Sequence, residues 1–95
     1  MTGIKHDQGK LRYDLLPADA LEAIVEVLTH GANKYGDNNW QELEDFDNRY
    51  HAAMMRHQEK KRQGEFRDID SGLLHSAHVA TGAIFQLWKD LQTNK

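Results

Sequence analysis

The sequence predicts an all-α domain, a compact bundle of three long helices preceded by an ordered N-terminal arm. Three observations predict it. Apolar residues recur at helical spacing in three separate stretches, no stretch alternates with the period of a strand, and turn-forming residues separate the stretches. With 95 residues, of which 39% are hydrophobic and 28% charged, the chain can hold one core and not two. Residues 1–95 are therefore expected to form a single domain, with an arm over 1–16 and helices over 17–35, 46–63 and 72–92. A domain this small buries only ~60–65% of its extended-chain surface, so a homo-oligomer is the expected state.

Pro17, the only proline, suits the first turn of a helix, where its missing N–H is not needed, and Asp19 and Glu22 suit the positive end of that helix. Leu21, Ile24, Val25 and Leu28 then form one apolar face that runs out near Gly31 or Gly36. Tyr35-Gly36-Asp37-Asn38-Asn39 is turn chemistry, followed at once by Trp40. Asp45 or Asp47 is placed to cap a second helix in which Tyr50, Ala53, Met54 and His57 share a face, and which ends at Lys60-Lys61-Arg62 and Gly64. After a turn from Glu65 to Gly72, the third helix carries Leu74, His78, Thr81, Phe85 and Trp88 at 4-3-4-3 spacing, flanked by Ala77, Ile84, Leu87 and Leu91. The arm has no sustained period, and the tail Thr93-Asn94-Lys95 is expected to fray.

Composition excludes several function classes. A formal charge of −3 argues against a general grip on polymeric nucleic acid, which needs a basic face. The absence of cysteine removes disulfides, thiolate nucleophiles and cysteine zinc sites. Met1 to Lys10 carries no apolar run of the signal-peptide kind, and no stretch of ~18 apolar residues exists, so no membrane role and a cytoplasmic location are expected.

His57, His75 and His78 carry most of the chemistry. Each falls where a core helix would place apolar atoms, and an inward imidazole needs a hydrogen-bond partner, a metal or a ligand, because an unpaired buried polar group costs roughly 1–3 kcal/mol. Together they could form a three-nitrogen metal site, or be protonated and hold phosphate, or be ordinary core histidines with backbone partners. In the arm, Lys5, Asp7, Gly9, Lys10, Arg12 and Asp14 place cations and carboxylates around a glycine, a pattern that suits phosphate or simply a solvated arm. Lys34, Tyr35 and Trp40 gather a cation, a phenol and an indole beside a tight loop, where an aromatic face could stack on a base or, for Trp40, close the core. Glu22 and Glu26, four apart, could hold Mg²⁺ through carboxylate oxygens, or be a wet helix face. Glu42 and Asp45 form a further acidic pair in loop-like sequence.

These segments resemble the phage and prophage family described as the N-terminal domain of dATP/dGTP diphosphohydrolases. The resemblance covers most of the chain and rests on Lys5-x-Asp7-x-Gly9-Lys10-x-Arg12-x-Asp14-Leu15-Leu16-Pro17, Gly31-x-x-Lys34-Tyr35-Gly36-x-x-Asn39-Trp40, Arg56-His57 and Asp70-Ser71-Gly72-Leu73-x-His75-x-x-His78. It implies an all-α protein related to MazG-like pyrophosphohydrolases, helical oligomers that convert a nucleoside triphosphate to monophosphate and pyrophosphate with Mg²⁺. The paired Glu-x-x-Glu and Glu-x-x-Asp helices of that pattern are not found here; Glu22-x-x-x-Glu26 has a different spacing.

Two expectations follow. In the first, the chain hydrolyses a purine deoxynucleoside triphosphate. Lys5, Asp7, Lys10, Arg12, Lys34, Arg56, His75 and His78 bind the substrate, Tyr35 or Trp40 stacks on the base, and Glu22, Glu26 or Asp70 places Mg²⁺ or Mn²⁺ near a water that His57 activates. In the second, it is a sponge needing no metal, sequestering a nucleotide immune signal, cyclic or derived from ADP-ribose, in the cytoplasm of an infected or lysogenic host. A structural helical adaptor is the remaining class, and it leaves the arm and the Trp40 loop without a task.

Overall fold

A computed structural model describes residues 3–94, and all that follows concerns those residues. Three α-helices dominate them: α1 (Ala18–Tyr35), α2 (Phe46–Arg62) and α3 (His75–Thr93). Short 3-10 turns at Tyr13–Leu15 and Asn39–Glu42 lead into α1 and α2. The described residues form no strand, only an isolated antiparallel bridge between Arg67 and Leu74. None of their helices is long and apolar enough to cross a membrane.

Both α1 and α2 pack on α3. Val27, Phe46 and Ala77, one from each helix, are its buried apolar residues, and Thr81 joins them by donating its hydroxyl proton to the Ala77 carbonyl at 2.8 Å. Gly82 lets α2 come close: a Cβ there would stand 2.6 Å from Met54 Cγ. An aromatic layer closes the far end. The Trp40 ring stacks on Phe85 with centroids 4.0 Å apart and planes at 11°, meets Trp88 edge-on at 5.0 Å, and lies beside Phe46. Asn38, in the left-handed region at φ 57°, turns the chain so that Trp40 folds back onto the helices.

The helix ends differ from expectation in instructive ways. Pro17 is the residue before α1, and its carbonyl accepts from Leu21 N–H at 3.0 Å. Asp45 precedes α2, yet its side chain caps no helix N–H; its backbone is left-handed and Oδ1 accepts from Asn48 Nδ2 at 3.0 Å. The third helix, expected from 72, begins at His75, because Leu73 and Leu74 are held in the preceding loop: Asp68 N–H donates to the Leu73 carbonyl and His75 N–H to the Phe66 carbonyl, both at 2.8 Å. The helix therefore starts with its first N–H already satisfied from outside.

The arm runs over the outside: every described residue before α1 is exposed. On α1 the expected apolar face is only partly covered. Ile24 and Leu28 are half-buried, while Leu21 and Val25 remain open to solvent.

Candidate functional site

The site is assembled by the loop between α2 and α3. Gly64, at φ +99°, ends α2 with paired bonds from Gly64 N–H to the Lys61 carbonyl and from Glu65 N–H to the Lys60 carbonyl, the closure that glycine at this position allows. The chain then folds back on itself through the Arg67–Leu74 bridge, with Gly72 at φ +75° near the tip. This reversal sets Glu65 against the start of α3. Glu65 Oε2 accepts from His75 Nε2 at 2.7 Å, and His75 is only 2% exposed. Asp68 Oδ2 accepts from Ser71 N–H at 3.0 Å, and the Ser71 hydroxyl shares a 2.7 Å hydrogen bond with His78 Nε2.

From the other side α2 contributes His57. Its Nδ1 stands 2.8 Å from His75 Nδ1, and its ring lies flat on His78, centroids 4.4 Å apart and planes at 3°. A carboxylate oxygen accepts, so in this pair His75 Nε2 is the donor. In the neutral ring Nδ1 is then a lone pair, and the proton between the two rings belongs to His57 Nδ1. Among the described residues, His57, Asp68 and His75 bring one ligand atom each to within 4.8 Å of one another.

These groups open onto a cleft of about 470 Å³. Arg56 and Lys60 of α2 line it together with the carboxylates of Glu65, Asp68 and Asp70. Burial, joined by the neighbouring imidazoles and Arg56, outweighs Asp68 and holds His57 below the usual histidine value. Burial likewise lowers His78 against the pull of Asp68. For Asp68, burial pushes upward, but the two bonds from Ser71 and the nearby histidines together win, and its carboxyl sits below the usual range.

A pH dependence follows. A histidine whose folded value lies below its unfolded 6.5 contributes stability that is complete above that value and is lost as pH falls through the folded one. With a chelator present, the thermal midpoint is expected to fall between pH 7 and pH 5, followed by circular dichroism; a flat profile over that interval would contradict two neutral, partly buried rings.

The expected site residues separate into groups. His57, His75, Arg56 and Asp70 meet at the cleft, and His78 stands behind His57, facing a smaller apolar pocket of about 110 Å³ between the helices. Lys34 reaches the rim by pairing with Asp70 at 3.3 Å, and Tyr35 lies beside it, 62% exposed. Lys5, Asp7, Lys10 and Arg12 do not line the cleft, and Arg12 is occupied by a two-bond pair with Asp14 at 2.8 and 2.7 Å. Trp40 belongs to the aromatic layer and does not line the cleft. Glu22 and Glu26, the expected metal pair, lie exposed on α1, outside the cluster of ligand atoms. Glu65, Asp68 and Lys60 were not singled out from sequence. The signal available for them was a Glu-x-x-Asp spacing directly after a helix-ending glycine, one loop away from the two histidines.

Fold and cleft together define an all-α domain with an ionisable cleft between two helices and their connecting loop. The whole chain, residues 1–95, matches the family model described as dATP/dGTP diphosphohydrolase, N-terminal, and the chain belongs to that family. A Salmonella phage PMBT28 protein named dATP/dGTP diphosphohydrolase is 40% identical over 88 residues, which are 93% of this chain and 30% of that protein. The chain thus spans less than a third of the relative's length. No solved structure matches.

Proposed function

We propose that this chain binds a purine deoxynucleoside triphosphate through its phosphates in the α2–α3 cleft and cleaves it to the monophosphate and pyrophosphate, in the manner of a MazG-like pyrophosphohydrolase. The observation that carries the reading is the cleft itself, lined by Arg56 and Lys60 together with imidazoles and carboxylates. Arginine and lysine neutralise phosphate oxygens, arginine with two parallel hydrogen bonds. The name of the phage relative supports the substrate class.

In the reaction a water oxygen bonds to the α-phosphorus and the bond to the bridging oxygen of the β-phosphate breaks. Pyrophosphate leaves, and the water proton passes to an ionised carboxylate or neutral imidazole of the cleft. A divalent cation would neutralise the phosphate oxygens. Tyr35, exposed beside the Lys34–Asp70 pair, offers the ring on which a base can stack. Self-association belongs to the same reading: Leu87 and Leu91 on α3 leave 57% and 58% of their surface open, area that a second copy would cover.

The test is to incubate the chain with dATP or dGTP, with and without Mg²⁺ or Mn²⁺, and to follow pyrophosphate release and thermal shift together. Metal-dependent release of pyrophosphate is the expected result. Stabilisation with the nucleotide recovered intact would replace hydrolysis by sequestration, and neither response would refute both.

A further inference from the structure

The strongest unassigned feature is the facing pair of imidazole nitrogens at the floor of the cleft. Two nitrogens each ~2.1 Å from one ion stand about 3.0 Å apart at right angles and about 3.4 Å apart at the tetrahedral angle, so the observed 2.8 Å needs an opening of about 0.2 to 0.6 Å. The surroundings are those of ligands held in place. His75, almost fully buried, gives its Nε2 hydrogen to Glu65 and keeps Nδ1 as a lone pair, the arrangement that orients a metal-bound histidine. The ring of His57 is fixed by its parallel contact with His78, which Ser71 anchors in turn, and when the ion binds His57 carries its ring hydrogen on Nε2 instead of Nδ1, which frees Nδ1 as the ligand atom. Asp68, the nearby carboxylate, is steadied by the Ser71 N–H.

We propose that His57, Asp68 and His75 bind one first-row transition cation, of the manganese, iron, cobalt or zinc class, in preference to magnesium, with Glu65 as the residue that positions His75. Two imidazoles and one carboxylate suit such ions, whereas magnesium seeks an all-oxygen shell. Three protein ligands leave further positions open for water or a phosphate oxygen. Charge supports the same assignment. A polyphosphate entering this cleft meets three carboxylates, Glu65, Asp68 and Asp70, and a cation between them removes the repulsion.

The proposal deepens the hydrolase reading, but its test stands apart from it. Chelator-stripped chain without a histidine tag is titrated with Co²⁺, Mn²⁺ and Mg²⁺ in the absence of nucleotide, by calorimetry and, for Co²⁺, by visible absorption. One transition ion per chain is expected, bound at least about tenfold more tightly than Mg²⁺. His57→Gln should weaken Co²⁺ binding about 100-fold and Glu65→Gln about 10-fold, each with an unchanged far-ultraviolet dichroism spectrum. His51→Gln, exposed on α2, should change nothing. Equal affinity for Mg²⁺, wild-type Co²⁺ binding by folded His57→Gln and Glu65→Gln, or an equal loss in His51→Gln would each overturn the site. Tight Co²⁺ binding without cleavage of any nucleotide would leave it standing and remove the hydrolase reading. Cleavage by a chain with no transition-ion preference would do the reverse.

Discussion

Trp40→Ala should lower the folding free energy by roughly 2–4 kcal/mol, somewhat less than full burial of an indole would give, because Trp40 keeps part of its surface in water. The ring is the piece that joins the Asn39–Glu42 turn to α2 and α3, stacked on Phe85 of α3, edge-on to Trp88 of α3 and beside Phe46 of α2. The buried apolar core contains little else, since Val27, Phe46 and Ala77 are its buried members among the described residues. With about 4–8 °C of midpoint per kcal/mol for a domain of this size, the melting temperature should fall by roughly 8–30 °C. Trp40→Phe should retain the stack and lose less. Below the melting transition, Co²⁺ affinity should stay at the wild-type level, because Trp40 does not line the cleft and is not among its candidate ligands. An unchanged melting curve together with lost nucleotide binding would return Trp40 to the role of a base-stacking ring.

The same residue shows where the sequence stops being readable. Turn chemistry at residues 36–39 is plain, but whether a turn delivers the following tryptophan to a ligand or to the core depends on the left-handed Asn38, which no periodicity records. The helices were legible because 3.6-residue spacing survives in the sequence; α1 and α2 fall within one residue of expectation at each end. The start of α3 was misplaced by three residues. There the loop competes for Leu73 and Leu74 through backbone bonds, and backbone bonds leave no trace in side-chain pattern. Inward-facing histidines stood out for the opposite reason, since an imidazole on an apolar face breaks the pattern that surrounds it. Their carboxylate partners did not stand out: the register that brings Glu65 to His75, and Asp68 near His57, is set by Gly64, Gly72 and the Arg67–Leu74 bridge acting over distance. The direction of the arm was not legible either. Lys5, Lys10 and Arg12 have phosphate-binding chemistry, but chemistry does not fix direction, and Asp14 is close enough to occupy Arg12.

Arg56→Ala and Lys60→Ala should each weaken nucleotide binding about tenfold, and the double variant about 100-fold, if charge-assisted bonds to phosphate of roughly 1.5 kcal/mol or more are lost at each. The two residues are four apart on α2, which puts both on the side of the helix that carries His57 towards the cleft. Neither has an ion-pair partner among the salt bridges of the described residues, so neither removal strands a buried carboxylate. Both are exposed, and folding stability should move by less than about 0.5 kcal/mol. Calorimetric titration with dATP and dGTP reads the first effect and thermal melting the second. Affinity for a transition ion alone should hold or rise, because a positive charge beside the site has gone while the three ligands remain. Lys10→Ala provides the contrast: it lies on the arm, away from the cleft, and should change nucleotide affinity far less than either α2 variant. If the order were inverted, with Lys10 dominant and Arg56 neutral, the phosphates would have to lie along the arm and the α2–α3 cleft would lose its claim to the nucleotide.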